Sequence, residues 1–463
     1  MIFNSYSFIF WFFPVFLLFW KLLKGKRRLR MWLLLIASYT FYAWWDYRFT
    51  TLMAFISVVN WTAGRKINHS KSPDLQKMVV IMAVVLSITP LFFFKYLPWL
   101  GSYAEVLFNG VAKTRYNDFL SSIILPVGIS FFTFQAMSYT IDLYHKKCNY
   151  CPNLIKFAGF VSMFPQLVAG PIIRFKDIDS QLGRIEHLDD EIDFNSGLEL
   201  FFRGLIKKVF FADQLGILID PSFAAGVDVS MGLAWASILG YTLQIYFDFS
   251  GYSDMAIGMG HCLGFKFPEN FRAPYTSANP AEFWRRWHIT LSTWLRDYVY
   301  ILMGGNRKGK ICTLQNLMVT MLIGGLWHGA SWTFVFWGFW HGFMLCIHRI
   351  TPNAVLRKIP KWIAILMLNL GVIIGWVFFR LPTMDQGWGF LSAMAGFGSQ
   401  LSILISWQLY FFIPAGYFVH YLERRDIDVP FPRKKVFAIG LAIFAAFSIL
   451  ELGRDAPFIY FQF

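Results

Sequence analysis

The sequence predicts an all-α, polytopic integral membrane protein. Hydrophobic residues make up 56% of the 463 residues and charged residues only 15%, whereas a soluble protein carries about 25% charged residues. Runs without Asp, Glu, Lys or Arg also recur at roughly the 20 residues that one membrane-spanning helix needs. We therefore expect a single integral membrane domain over residues 1–463, with about eleven transmembrane helices and with re-entrant and interfacial helices besides.

The uncharged runs give the predicted crossings in chain order. They are Ile2–Trp20, Met31–Trp45, Phe49–Gly64, Met78–Phe94, Phe119–Ile141, Val229–Phe247, Ile311–Ile347, Trp362–Phe379, Gln386–Leu422 and Val436–Leu450. Ile311–Ile347 and Gln386–Leu422 are each long enough for two helices, or for one helix and a re-entrant piece. Phe157–Ile173 has the length of a crossing, but Pro165 and Gly170–Pro171 interrupt it. A re-entrant segment is predicted there, because broken backbone at membrane depth must be surrounded by protein or water.

The basic residues predict the orientation of the chain. The formal charge is +15, yet the cations lie in short loops between apolar runs, so no continuous basic face can form and nucleic acid is not an expected partner. By the positive-inside rule these loops face the cytoplasm. They are Lys21–Arg30, Arg65–Lys77, Lys146–Lys156, Arg307–Lys310, Arg349–Lys361 and Arg424–Lys435. Because no cation precedes Ile2–Trp20, this run is expected to stay as a helix with its N-terminus outside.

Two charged segments are too polar to face lipid. In Glu199–Asp220, three cations recur at helical spacing among Leu and Phe residues, which is typical of a helix lying at the headgroups. They are Arg203, Lys207 and Lys208. A helix-like block at Glu282–Tyr300 carries polar groups that must face water, headgroups or one another. They are Arg285, Arg286, His288, Arg296 and Asp297.

His328 is the strongest candidate for a catalytic residue. It stands near the middle of Ile311–Ile347, in the motif Gly-Gly-Leu-Trp-His-Gly-Ala-Ser-Trp that begins at Gly324. An intramembrane imidazole costs free energy and so marks a functional site by default, the alternative being an imidazole satisfied by a neighbouring hydroxyl or carbonyl group. The glycines favour the functional interpretation, since they allow close helix approach, substrate access or a kink. His341 would lie about 220° around the same helix and is predicted to be structural.

Three further polar residues are candidates of lower rank. His288 has the alternative of an interfacial belt, where Trp and Tyr concentrate and Arg can snorkel. Asp248 and Asp254 lie in apolar surroundings and would diverge by about 120° on a helix, with a break predicted at Gly251. These two carboxylates are therefore expected to hold the fold together rather than to form an acid/base pair. Their predicted partners are Arg285, Arg286 and Arg296.

The cysteines give no metal site. Cys148-Asn-Tyr-Cys151 has the spacing of a metal-binding pair, and His145 precedes it. A structural zinc site needs four ligands, and the sequence offers no second pair. Ordinary loop cysteines are therefore expected.

Several long motifs resemble those of the membrane-bound O-acyltransferase family, and the bacterial alginate O-acetylation branch is the most similar. They are Leu-Pro-Val-Gly-Ile-Ser-Phe-Phe-Thr-Phe-Gln from Leu125, Phe-Pro-Gln-Leu-Val-Ala-Gly-Pro-Ile from Phe164, Tyr-Phe-Asp-Phe-Ser-Gly-Tyr-Ser-Asp from Tyr246, Trp-Arg-Arg-Trp-His-Ile-Thr-Leu-Ser-Thr-Trp-Leu-Arg-Asp-Tyr from Trp284, Gly-Gly-Asn-Arg-Lys-Gly from Gly304, and the His328 motif. The resemblance covers nearly the whole chain.

The resemblance implies an enzyme of the bacterial cytoplasmic (inner) membrane, with its helices around a central tunnel or funnel. Such an enzyme takes an acyl group, here acetyl, from a cytoplasmic thioester and serves an extracytoplasmic polysaccharide such as alginate. The thioester is acetyl-CoA or an acyl carrier, and no cofactor is bound permanently. The implied partners are the lipid bilayer, the polysaccharide acceptor and periplasmic acetyltransferase proteins that finish the transfer.

Individual site residues follow from the same resemblance. His328 matches the catalytic histidine of the family, as base or as acyl relay, and His288 matches its upstream polar position. Arg296 and Trp287 are predicted to shape the donor tunnel, and Asp248 and Asp254 to orient the core. Two other functions stay open: O-acetylation of peptidoglycan or D-alanylation of teichoic acid, and a transporter or channel with pore-lining histidines.

Overall fold

A computed structural model describes residues 1–101, 123–188, 194–224, 229–398, 406–424, 434–452 and 458–459. Within these ranges the chain forms helices and contains no strand, so the all-α prediction is confirmed there. The predicted crossings Phe119–Ile141 and Gln386–Leu422 lie partly outside the described residues.

The α-helices are numbered in chain order. They are α1 (Phe13–Leu22), α2 (Arg27–Asp46), α3 (Thr50–His69), α4 (Pro73–Leu91), α5 (Ile129–Tyr144), α6 (Leu154–Ser162), α7 (Phe175–Gly183), α8 (Phe194–Ile206), α9 (Gln214–Ala224), α10 (Met231–Cys262), α11 (Pro280–Trp284), α12 (Ile289–Leu295), α13 (Gly309–His328), α14 (Trp332–Ile350), α15 (Asn353–Leu356), α16 (Lys361–Arg380), α17 (Met384–Ser392), α18 (Leu409–Leu422) and α19 (Lys434–Leu450). Short π-helical turns continue several of them, among them Lys207–Asp213 after α8 and Arg296–Tyr300 after α12.

Among the described residues, two helices are long and apolar enough to cross a membrane by themselves. They are Pro73–Gly101, which contains α4, and α16. Phe8–Leu22 and α18 are also apolar but shorter. Length and apolar composition in two helices are weak evidence for a membrane protein, so the expected number of about eleven crossings stays a prediction.

The chain divides into two compact units. One comprises Met1–Phe201 and Ser253–Pro268, and the other comprises Phe202–Tyr252 and Glu269–Phe463. The candidate residues His288 and His328 both belong to the second unit. The prediction of a single domain over residues 1–463 stays a prediction.

In the first unit, buried polar side chains join three helices. The Asn60 amide of α3 donates to Ser87 Oγ of α4 at 2.9 Å, and Asn60 Oδ1 accepts from Thr140 Oγ1 of α5 at 2.8 Å. Gly64 lets the Tyr139 ring approach α3, because a Cβ there would lie 2.6 Å from that ring. Small residues at close contacts and hydrogen bonds between helices are the usual means by which membrane helices associate.

The interruption predicted in Phe157–Ile173 is confirmed, because the chain leaves its helix there and is enclosed by protein; the re-entrant course of this segment stays a prediction. α6 ends at Ser162, and residues 163–173 are buried. Side chains supply hydrogen bonds to this part of the chain, since Gln135 and Gln166 both donate to the Phe160 carbonyl oxygen. The Phe164 N–H donates to Ser38 Oγ at 3.1 Å. Buried backbone that lacks helical hydrogen bonds is stable here because such partners replace them.

In the second unit, glycines bring α13 and α14 into close contact. A Cβ on Gly325 would lie 2.3 Å from the Phe334 carbonyl oxygen, and one on Gly338 would lie 2.5 Å from that of Met321. Ser331 begins α14 by accepting a hydrogen bond from the Phe334 N–H. The run Ile311–Ile347 therefore holds two helices, and its glycines have the packing role expected of them.

Two predictions about individual helices are wrong. α10 continues through Gly251 without a break, and that glycine instead permits close packing, because a Cβ there would lie 2.7 Å from the Gly204 carbonyl oxygen. Glu199–Asp220 is not a helix with all its cations at the headgroups. Arg203 is exposed, but Lys208 is 2% exposed because buried carboxylates neutralise it.

Candidate active site

His288 occupies a break between two short helices. The helix-like block predicted at Glu282–Tyr300 is not continuous, because α11 ends at Trp284 and α12 begins at Ile289. His288 has φ 42° and ψ 55°, a left-handed conformation that costs a non-glycine residue roughly 1–2 kcal/mol. Its side chain is fully buried, which rules out the alternative of an interfacial belt. Strained backbone of this kind often occurs at functional sites.

Asn270 determines the orientation and the tautomer of His288. Asn270 Oδ1 lies 3.1 Å from His288 Nδ1, and the same oxygen accepts from the N–H and the hydroxyl group of Thr290. A backbone N–H can only donate, so this atom of Asn270 is the acceptor. His288 Nδ1 therefore carries the proton, and Nε2 is the basic nitrogen of the neutral imidazole.

His328 is the last residue of α13 and is 3% exposed. Its imidazole lies edge-on to Trp327, Trp337 and Phe379, with ring centroids 4.9, 4.9 and 5.2 Å away. The helix ends at this point and Gly329 has extended backbone. This glycine leaves room for the Phe334 ring, which would lie 2.1 Å from a Cβ at position 329.

Trp327 links the two candidate histidines. Its ring centroid is 5.8 Å from that of His288 and 4.9 Å from that of His328. Phe249 also packs on His288, with its ring centroid 4.6 Å from that of the imidazole. The structure thus places both histidines in one aromatic region, although they lie 40 positions apart in the sequence and no local pattern links them.

The prediction that His328 and His341 lie at different angles on one helix is wrong. Ser331 separates α13 from α14, so the two imidazoles belong to different helices. Both contact Trp337, at centroid distances of 4.9 Å for His328 and 4.7 Å for His341. A purely structural role for His341 stays a prediction.

His420 was not a candidate in the sequence, yet it is 2% exposed within the same unit. Its Nε2 accepts a hydrogen bond from the Tyr275 N–H at 3.3 Å, and its ring packs on Tyr246 and Tyr275. Asn270 was missed as well. Both residues lie far along the chain from their partners, and no local motif marks either of them.

Trp287 and Arg296 have different surroundings. Trp287 is fully buried, and its ring packs on Phe283 and Trp376 at centroid distances of 5.8 and 4.9 Å. The Arg296 side chain is 59% exposed and pairs with Asp297 at 2.7 Å. Trp287 therefore lies in the aromatic region and Arg296 at the surface of its unit. A role for either residue in a donor tunnel stays a prediction.

Asp248 pairs with a lysine, not with the predicted arginines. Lys208 Nζ lies 2.7 Å from Asp248 Oδ1 and 2.6 Å from Asp213 Oδ1. The other oxygen of Asp248 accepts from the Ile459 N–H at 2.9 Å. The orienting role predicted for Asp248 is consistent with these contacts. Asp254 is half-buried, and its role stays a prediction.

Cys148 and Cys151, the CxxC pair, lie in a loop of the first unit. Among the residues that the structure describes, no group of three or more His, Cys, Asp and Glu side chains could hold a metal ion. Cys148 Sγ donates to the Tyr139 carbonyl oxygen, and Cys151 Sγ donates to that of Asn153. Burial raises the pKa of the Cys148 thiol to about 12 and that of Cys151 to about 11, so both are protonated at neutral pH.

A buried neutral imidazole with one fixed tautomer can act as a general base toward a hydroxyl group. Near-neutral basicity makes histidine the side chain suited to this step. The aromatic surroundings exclude water, which limits hydrolysis of a reactive acyl group. The arrangement of His288 and His328 is therefore suited to acyl transfer.

The family comparison agrees with this chemistry. The model of the MBOAT, membrane-bound O-acyltransferase family, matches residues 127–381. The matched range contains His288, Asn270 and His328, and it covers more than half of the chain.

Curated relatives extend the match beyond that range. The chain is 46% identical over 412 residues to the probable alginate O-acetylase AlgI of Pseudomonas aeruginosa, covering 87% of this chain and 77% of the relative. It is 40% identical to the protein of the same name from Pseudomonas putida, over all of both chains. It is 35% identical over 434 residues to the peptidoglycan O-acetyltransferase of Helicobacter pylori, covering 86% of this chain and 80% of the relative. The chain belongs to the membrane-bound O-acyltransferase family and is an O-acyltransferase of the membrane.

Proposed function

We propose that this chain is a multi-pass enzyme of the bacterial inner membrane that transfers acetyl groups for the O-acetylation of alginate. Its donor is a cytoplasmic thioester, either acetyl-CoA or an acyl carrier, and its acceptor pathway ends at the extracytoplasmic polysaccharide. Periplasmic acetyltransferase proteins are the proposed partners that complete the transfer. The names of the relatives from Pseudomonas aeruginosa and Pseudomonas putida support alginate as the polymer.

The observation that carries the proposal is the pair of buried imidazoles, of His288 and His328, that both contact the Trp327 ring. In the proposed reaction, His328 removes the proton of an acceptor hydroxyl group, whose oxygen attacks the thioester carbonyl carbon. The new ester C–O bond forms, the C–S bond breaks, and the thiol leaves with a proton. His288 is the second proposed catalytic residue, with its tautomer held by Asn270. A transient acyl group on His328, or on a serine beside it, is the competing course of the same transfer.

The test is the ester-linked acetate content of cell-surface glycans in a deletion strain. The strain is complemented with wild type, His328→Ala, His288→Ala or His145→Ala, and the amount of each protein in the membrane is measured. His145 is exposed and serves as the matched control. We expect wild type and His145→Ala to restore alginate acetylation. His328→Ala should restore less than about one hundredth of it, since general base catalysis contributes roughly 100- to 10,000-fold.

Full restoration by a well-expressed His328→Ala variant would remove the catalytic role of this residue. Peptidoglycan O-acetylation is the second candidate, because the relative from Helicobacter pylori covers 86% of the chain. Isolated alginate, peptidoglycan and teichoic acid are therefore analysed in parallel, for acetate and for D-alanine. The polymer that loses its ester in the deletion strain identifies the acceptor.

A further inference from the structure

His341 is a buried polar residue for which the described part of the chain offers no hydrogen-bond partner. It is 1% exposed, and neither Nδ1 nor Nε2 has a partner among the described residues. Buried polar groups are nearly always paired, because a lost hydrogen bond to water costs stability. A histidine left in this state in a protein core therefore needs an explanation.

Three indole rings around His341 likewise have buried N–H groups for which the described residues provide no acceptor. The centroids of Trp337, Trp284 and Trp376 lie 4.7, 5.2 and 6.3 Å from that of the imidazole. The Nε1 atom of each is buried and has no acceptor among the described residues. Trp340, on the same helix as His341, differs from them, because its Nε1 donates to the Gly371 carbonyl oxygen at 2.7 Å.

The position of Gly375 indicates which nitrogen of His341 carries the proton. A Cβ on Gly375 would lie 2.9 Å from His341 Nε2, so the backbone of α16 packs against this nitrogen and leaves no room for a hydrogen-bond acceptor. Nδ1 is then the favoured position for the proton, because an N–H facing aliphatic backbone would be wasted. His341 and the three indoles together present four N–H donors and no accepting partner for them.

We propose that these four residues, which we call the His341 cluster, bind carbonyl oxygens of the acyl-donor thioester arm. This inference rests on the proposed function. A cluster of donors without acceptors selects a neutral ligand rich in carbonyl groups, and the pantetheine arm of coenzyme A or of an acyl carrier bears two amide carbonyls besides the thioester. Trp337 contacts both His341 and His328. A ligand bound at the cluster therefore has its reactive end beside the proposed base.

The test is the binding of S-acetonyl-coenzyme A, a ketone that cannot donate its acyl group, to the purified full-length protein in detergent. Wild type is compared with Trp376→Phe, His341→Phe and the control Trp340→Phe. Each of the first two should weaken binding about two- to tenfold, the effect of one typical hydrogen bond. Their thermal unfolding midpoints should fall less than that of Trp340→Phe. Both tryptophan variants lose ring volume, but only Trp340→Phe also loses a hydrogen bond of the ligand-free protein, and its binding should be unchanged.

Each other result overturns a defined part of the proposal. Wild-type protein that binds neither S-acetonyl-coenzyme A nor an acyl carrier protein bearing the same arm has a different donor, and both the proposed donor and the subsite are then wrong. Binding by wild type that is equal in Trp376→Phe and His341→Phe refutes the subsite alone. Unchanged binding in these two variants, together with a fall in midpoint as large as that of Trp340→Phe, would make the cluster structural. Tighter binding of S-acetonyl-coenzyme A or of the modified acyl carrier protein identifies which of the two is the acyl donor.

Discussion

The Asn270 side chain holds His288 in one tautomer, through a contact of 3.1 Å between Asn270 Oδ1 and His288 Nδ1. Asn270 lies in a loop and His288 immediately precedes α12. The Ile289 N–H also donates to the Asn270 carbonyl oxygen at 2.9 Å. The side chain and the backbone carbonyl group of Asn270 thus both hold the strained backbone at His288.

Asn270→Ala should lower acetyl transfer about 10- to 100-fold, because it removes the acceptor that fixes His288 while leaving the imidazole in place. Asn270→Asp should recover most of the activity, since a carboxylate oxygen can accept the same hydrogen bonds. The measurement is the transfer rate per amount of folded protein in isolated membranes.

The matched control for Asn270 is Asn316→Ala. Asn316 is also buried, and its amide donates to the Gly305 carbonyl oxygen at 2.8 Å. Its loss should lower stability without changing the rate of the folded enzyme. Equal rate losses in Asn316→Ala and Asn270→Ala would assign Asn270 to folding rather than to positioning.

Lys208→Met should destabilise the protein by about 3–5 kcal/mol, because it leaves the buried Asp248 carboxylate and the partly buried Asp213 carboxylate without their cation. The side chains of Lys208 and Asp248 are only 3% and 2% exposed, so water cannot replace the ion pair. The double variant with Asp248→Asn should recover part of this loss. Denaturant unfolding of the detergent-solubilised protein measures both effects.

The control for the lysine is Arg48→Met, which breaks the exposed pair of Arg48 and Asp46. Exposed ion pairs contribute little to stability, so no measurable change is expected there. A stable Lys208→Met variant would mean that Asp248 and Asp213 are neutral in the folded protein.

Gly325→Ala should lower stability by about 1–3 kcal/mol through overpacking. The added methyl group would lie 2.3 Å from the Phe334 carbonyl oxygen, and a backbone atom cannot move aside as a side chain can. The helices α13 and α14 would separate, so transfer by the remaining folded protein should also fall.

Gly159→Ala is the control for this glycine, since its nearest neighbour would be Met31 Sδ at an ordinary 3.5 Å. Alanine also has a higher helix propensity than glycine, so the Gly159→Ala variant should be as stable as the wild type or more stable. A thermal unfolding series of both variants checks the difference, and equal midpoints would contradict the close packing of α13 on α14.

Alkylation of Cys148 by iodoacetamide should be slow at pH 7 and should rise about tenfold per pH unit up to pH 10, because only the thiolate reacts. Burial raises the pKa of this thiol to about 12, so its rate should reach no plateau in that range. In the unfolded protein the pKa returns to about 8.5, and the rate should level off near pH 9. Mass spectrometry of the labelled peptide gives both curves. A plateau in the folded protein, or protection by added zinc, would contradict the buried, metal-free thiol.

Local sequence patterns predicted those features of the site that depend only on residues near one another in the chain. The apolar composition predicted a helical membrane protein. The motif around His328 predicted a helix, close helix packing at its glycines, and His328 as the first catalytic candidate. The same reasoning was wrong where it extended one local rule too far. Gly251 was expected to break α10, although a glycine in a helix can equally serve close packing. His341 was placed on the helix of His328, because the sequence did not mark the turn before Ser331.

The sequence by itself determined that this chain is an all-α membrane O-acyltransferase with His328 and His288 as its leading candidates. Only the tertiary structure decided that Asn270 fixes His288, that Lys208 rather than an arginine neutralises Asp248, and that Trp327 and Trp337 connect the buried histidines. The physical reason is the range of the interactions. Helix formation and membrane partition depend on neighbours within a few turns, whereas hydrogen bonds and ring contacts between distant residues depend on how the helices pack.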